Sequence, residues 1–123
     1  MKIADIMSRE VITTSPDEDA EEAWKRMTEH RVHHLVVMRG EVLAGIISDR
    51  DLGGPHGAAV RHNQTVARLM TPYIVSARPT MTVEQAAGLL QGRSISCLPV
   101  LDGGTLEGIV TVNDLLRQLA TKS

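Results

Sequence analysis

Apolar and polar positions along this chain follow two periods, and the whole pattern occurs twice in the same order. Val11-Ile12-Thr13 is a short β-prone run ended by Pro16, which has no N–H to give to a ladder. Ala20, Ala23, Trp24 and Met27 then fall at i, i+3, i+4 and i+7, one apolar stripe on a helix. Asp19-x-x-Glu22 at its start has the spacing of a capping box. Val32 to Val37 and Val42 to Ser48 read as two strands joined by a hairpin turn at Arg39-Gly40. The series begins again at Ile74-Val75-Ser76, ended by Pro79. It continues with the box Thr82-x-x-Gln85, the stripe Val83, Ala86, Ala87, Leu90, and strands Ile95 to Leu101 and Leu106 to Thr111 around Asp102-Gly103-Gly104. Asp114-Leu115-Leu116-x-x-Leu119 marks a closing helix. Its counterpart in the first half, starting at Asp51, is cut short by Gly53-Gly54-Pro55.

Sliding the sequence on itself by 63 positions aligns Ile3–Leu52 with Val66–Leu115 without a gap, and 13 of the 50 pairs are identical. They include Pro16/Pro79, Glu21/Glu84, Ala23/Ala86, Gly40/Gly103, Gly45/Gly108 and Asp51/Asp114. One β-α-β-β-α unit is thus written twice. A unit of about fifty residues buries too little surface to be comfortable alone. The expectation is an α+β fold of two such repeats packed sheet-to-sheet about a pseudo-twofold axis. Repeat 1 covers 1–54, an exposed polar linker (PHGAAVRHNQT) covers 55–65, and repeat 2 covers 66–123. A junction of that kind leaves a cleft, where small ligands bind.

Composition narrows the function classes. The 123 residues carry a net charge of -2 and are 42% hydrophobic, as expected for one compact cytoplasmic domain. The only aromatics, Trp24 and Tyr73, and the lack of a basic stripe argue against a general nucleic-acid partner. No apolar run approaches the roughly 18–20 residues of a membrane helix, and MKIADIM lacks the apolar core of a secretory signal. No membrane partner is expected. The single cysteine, Cys97, fits a reducing compartment.

The most alike stretches of the two repeats are GIISDRDL (Gly45–Leu52) and GIVTVNDL (Gly108–Leu115). Read with the strand-Pro, capping box, helix and (His/Ser)-x-Leu-(Val/Pro)-Val ahead of them, they resemble the CBS domain. Two in tandem are similar to a Bateman module, here over residues 3–119 with no catalytic domain left over. The resemblance implies a stand-alone, non-enzymatic regulatory protein. It would require no cofactor, sense an adenosine nucleotide (AMP, ADP, ATP or a related compound), form a homodimer and act on an unknown regulated protein. It also implies site residues. The motif aspartates, Asp51 and Asp114, would hold the ribose hydroxyls, and Ser48 and Thr111 would meet phosphate. The Asp51 cleft would add His33, His34, Ile46 and Arg50, with Pro72, Tyr73 and Ile95 from the other repeat. The Asp114 cleft would add Ser96, Cys97, Ile109 and Asn113, with Arg9 and Val32 from the other repeat.

The chemistry of these residues is compatible with that role. A carboxylate accepts from two adjacent hydroxyls, and a hydroxyl beside free amides at a helix start is an anion site. Ser48-x-x-Asp51 and Thr111-x-x-Asp114 are equally plain capping boxes, and a cap can line a site. The stretch HRVHHLVV (His30–Val37) invites a metal reading, but adjacent strand residues point to opposite faces and no ligand set recurs at zinc spacing. Packing, surface and phosphate-contact roles stay open for these histidines. Arg31, His33, His34 and Arg50 give repeat 1 the more basic cleft, so phosphate-rich ligands are expected at Asp51 and weaker or purine-only binding at Asp114. Cys97 has no base in evidence and reads as a packing residue. Two readings remain: a nucleotide sensor, or a structural dimerisation module whose clefts stay empty.

Overall fold

The computed structural model describes residues 1–72 and 75–121. Two compact units form, and neither coincides with a sequence repeat: one comprises residues 12–74, the other residues 1–11 with 75–123.

In the 12–74 unit, β1 (Thr13–Thr14) runs parallel to β2 (His34–Arg39), which pairs antiparallel with β3 (Val42–Ser48). Between β1 and β2 lies α1 (Ala20–His30), started by Asp19, whose Oδ1 accepts from the Glu21 N–H at 2.8 Å. That is a simple N-cap rather than the reciprocal box with Glu22. The helix buries Ala20, Ala23 and Met27 against Leu35, Val37, Ile47, Leu52 and Val66. Beyond β3 come one tight turn and two short helices, α2 (Ala58–Arg61) and α3 (Val66–Leu69). Thr71 then pairs with Ile46 on the free edge of β3, with N···O distances of 2.8 and 3.2 Å. The expected linker is therefore not a loose connection: Gly57 and Arg61 within it are buried.

The other unit repeats this plan. α4 (Val83–Arg93) begins at Thr82 with both halves of the capping box made to Gln85, at 3.1 and 3.0 Å. Ala86 and Leu90 pack on Leu98, Val100 and Val110 of the hairpin β4 (Cys97–Asp102) and β5 (Thr105–Thr111). Ala77 bridges Val100 in parallel on one edge of this hairpin. On the other edge Ser8 bridges Ile109, with both N···O distances 2.9 Å. Ile3 and Met7 complete this core. α5 (Val112–Thr121) follows β5 directly. The segments that lead the two repeats are thus exchanged: residues 1–11 close the core of repeat 2, and residues 66–71 close that of repeat 1.

Candidate functional site

The duplicated octets build the same device at the end of β3 and of β5. Ser48 Oγ accepts from the Asp51 N–H at 3.1 Å while Asp51 Oδ2 accepts from the Ser48 N–H at 2.9 Å. Thr111 and Asp114 repeat the pair at 3.2 and 2.8 Å. Both octets are therefore full capping boxes. Capping does not exhaust the carboxylates, since each offers about four lone-pair positions and one N–H uses one of them.

The motif glycines are explained by the exchanged segments. A methyl group on Gly108 would lie 2.7 Å from the Ser8 carbonyl oxygen and 2.8 Å from Met7 Sδ. A methyl on Gly45 would overlap the Thr71 carbonyl oxygen and touch Met70 Sδ. Only glycine lets these segments lie this close to β3 and β5.

Around Asp51, Ile46 lies two residues before Ser48 on the same face of β3, and His34 stands directly across from Ser48 on β2. Pro72 follows the bridging Thr71. Arg50 is exposed in the turn, and Tyr73 lies outside the described residues. Around Asp114, Cys97 stands across from Thr111, and the Ser96 carbonyl accepts from the Val112 N–H at 3.0 Å. Ile109 pairs with both Pro99 and Ser8, Arg9 follows Ser8, and Asn113 is exposed at the start of α5. Pro72 and Arg9 thus share a compact unit with the aspartate they were expected to serve from across the repeat boundary. Ile95, expected at Asp51, belongs to the unit that holds Asp114, and Val32, expected at Asp114, belongs to the unit that holds Asp51.

The electrostatics differ from a count of basic residues. Burial lowers the pKa of His34, outweighing the opposing pull of the Asp49 carboxylate, so its imidazole is neutral at pH 7. His33 Nδ1 is 3.1 Å from Asp49 Oδ2, and Asp49 Oδ1 accepts from the Arg50 N–H at 2.8 Å. The pair Asp49-Arg50, which with His33-His34 sets this cleft apart in sequence, thus brings a carboxylate that offsets part of the positive charge expected here. Arg31 and His33 meet at a cavity of about 380 Å³ with Trp24, Met27, Thr28, Val32, Asp49 and Pro55, apart from Asp51. At the other half-site Arg117 Nη2 reaches Asp114 Oδ1 at 2.6 Å, one helical turn on. Cys97 is 4% exposed, and burial, reinforced by the Asp114 carboxylate, pushes its thiol far up. Among the described residues no group of three or more His, Cys, Asp or Glu side chains is placed to hold a metal ion. No helix among them is long and apolar enough to cross a membrane.

A family model for the CBS domain matches residues 3–52 and 66–121. The chain belongs to the CBS-domain family. As a tandem CBS pair, or Bateman module, it is a regulatory module and not a catalyst. The CBS domain-containing protein YhcV of Bacillus subtilis is 35% identical over 123 residues, covering 98% of this chain and 88% of that protein. Other relatives are far longer: the chain is 33% identical over 108 residues to inosine-5′-monophosphate dehydrogenase of Korarchaeum cryptofilum but covers 22% of it. Among solved structures, the CBS domain pair of protein MJ0100 superposes with a TM-score of 0.90 at 28% identity, covering 100% of this chain and 98% of that one. That structure is a complex with 5′-methylthioadenosine and S-adenosyl-L-methionine. CBSX2 in complex with AMP superposes with a TM-score of 0.84 at 26% identity, over 98% of this CBS pair and 97% of that chain.

Proposed function

We propose that this CBS pair senses an adenosine-containing ligand at its Asp51 and Asp114 half-sites and transmits occupancy to a regulated protein. The observation that carries the reading is the duplicated Ser/Thr–Asp box at a strand end, beside a glycine crossed by an exchanged segment. The CBS domain pair of MJ0100 and CBSX2, similar over 98 and 97% of the solved chains, form complexes with 5′-methylthioadenosine and S-adenosyl-L-methionine and with AMP, respectively. Asp51 has Oδ1 unengaged among the described contacts, whereas Asp114 must share its Oδ1 with Arg117. Arg117 is 75% exposed, so its ion pair is weak and yields to a ribose diol. On this reading Asp51 is the readier site, and its selectivity follows hydroxyl and amide contacts with Ser48 more than histidine charge. The exposed stripe Val112, Leu116 and Leu119 on α5 (37, 54 and 66% exposed) supports a homodimer.

Calorimetry and thermal shift with AMP, ADP, ATP, NAD, 5′-methylthioadenosine and S-adenosyl-L-methionine test the proposal. Ligand at a hundred times Kd adds about 2.7 kcal/mol of stability, and Asp51→Ala and Asp114→Ala should each weaken one site. Silence from every ligand by both methods leaves the dimerisation module with empty clefts as the better reading.

A further inference from the structure

The two half-sites share a capping box but not its support. Asp114 stands on α5, ten residues of continuous helix from Val112 to Thr121. At the matching place after Ser48 the chain makes one turn and stops. The Leu52 N–H reaches the Ser48 carbonyl at 3.2 Å and the Gly54 N–H reaches that of Asp49 at 3.0 Å. Gly53 and Gly54 then take φ of 88° and 69°, which end the turn. A lone turn fixes many dihedrals for few hydrogen bonds and does not hold itself together.

An arginine from the 55–65 segment holds it instead. Arg61 is 3% exposed. Its Nη1 donates to the Leu52 carbonyl at 2.8 Å and to the Gly54 carbonyl at 2.7 Å, gripping the last residues of the turn. Nε donates to Glu21 Oε2 in the first turn of α1 at 2.8 Å, and the guanidinium lies 4.6 Å from the centre of the Trp24 ring. One planar fork thus ties the turn that carries Asp51 to the helix behind it. A lysine has its three N–H donors on one nitrogen and lacks the planar fork that lets Nε and Nη1 reach Glu21 and the turn carbonyls at once.

We infer that Arg61 is the positioning residue of the Asp51 half-site, which makes the apparent linker part of that site and lets it be loosened independently of Asp114. The consequence for ligand rests on the function proposed above; the positioning itself does not. The test is native-state hydrogen exchange without ligand, followed by AMP titration.

In Arg61→Met the amides of Asp51, Leu52, Gly53 and Gly54 should exchange at least tenfold faster, with Asp114 and Leu115 unchanged. Arg61→Lys, the milder change if the methionine variant does not fold, should show the same selectivity to a smaller extent. Val37→Ala, which opens a cavity in the same core at the strand position paired with Gly45 rather than at the Ser48 end, is the control for a merely structural role. AMP affinity should fall at least tenfold on adding Arg61→Met to Asp114→Ala, and stay unchanged on adding it to Asp51→Ala. Exchange at the turn no faster in the Arg61 variants than in Val37→Ala overturns the inference. Selective exchange with no binding of AMP or of any other ligand of the panel to the wild-type chain upholds the positioning and removes the sensor reading.

Discussion

Replacing Gly108 by alanine puts a methyl carbon 2.7 Å from the Ser8 carbonyl oxygen, inside the contact distance of any real side chain. Met7 Sδ, at 2.8 Å, can swing away, but the Ser8 carbonyl is backbone and is held by the Ile109 N–H at 2.9 Å. Relief requires lifting residues 7–8 off β5 and lengthening both Ser8–Ile109 hydrogen bonds. Overpacking costs about 1–3 kcal/mol, and each weakened hydrogen bond up to about 1 kcal/mol. A net loss of about 2–3 kcal/mol follows, or about 8–12 °C in Tm for a chain of this size. Gly88→Ala is the internal comparison, because Gly88 lies within α4 with nothing inside 4 Å of the added methyl. It should stabilise by about 0.5–1 kcal/mol through helix propensity. Calorimetric melting gives both numbers, and amide exchange at Ser8 and Ile109 locates the damage. A Gly108→Ala protein with unchanged Tm and full protection at those two amides would refute the argument that the segment crossing imposes the glycine.

Three further outcomes follow from the burial or exposure of particular side chains. Because burial depresses the pKa of His34, the folded state binds fewer protons than the unfolded one. Its stability is therefore full above the ordinary value near 6.5 and falls as pH drops below it; His34→Gln should flatten that part of a denaturation-against-pH curve, and an unchanged slope contradicts the assignment. Cys97, buried and with its thiol pushed up, should resist a soluble disulfide reagent in the native protein and react at once in denaturant; rapid native labelling would show that the site opens. If the chain forms the proposed homodimer through α5, Leu116→Glu with Leu119→Glu should halve the molar mass measured by light scattering, and a dimeric mass retained in the variant would remove α5 from that interface.

Local periodicity made much of each repeat legible, and long-range packing limited the rest. β3 spans Val42–Ser48 as the apolar run after the Arg39-Gly40 turn implies, but β2 begins at His34 rather than Val32. The reason lies in the end of α1, where Arg31 takes a left-handed φ of 55° and the Val32 N–H returns to the Met27 carbonyl. Ser94 and Ile95 do the same in the other unit, with φ of 52° at Ser94. Neither cap uses glycine, so the usual stop signal is absent. The Ser48–Asp51 and Thr111–Asp114 boxes could be read directly, since their partners are three residues apart. Arg61 could not, because a charged residue in a polar stretch gives no sign that it will be buried forty residues from Glu21. The exchange of leading segments was equally hidden. An internal alignment shows which residues are copies, not which copy each packs against, although the repeated Met7 and Met70 mark the places where the crossings fall.

That exchange also sets an order in time. Residues 12–74 are contiguous, and Thr71 completes their sheet soon after the segment is made. Ser8 waits for Ile109, 101 residues downstream (109 − 8). At roughly 5–20 residues per second of synthesis, Ile3 and Met7 stay unsheltered for roughly 5–20 seconds while the middle of the chain closes. Ribosome-arrested chains that stop short of β5 should resist protease over residues 12–72 and be cut within the first eleven; protection of both segments would count against this order. Residues 1–11, made before the unit they close, are among the last segments to be housed.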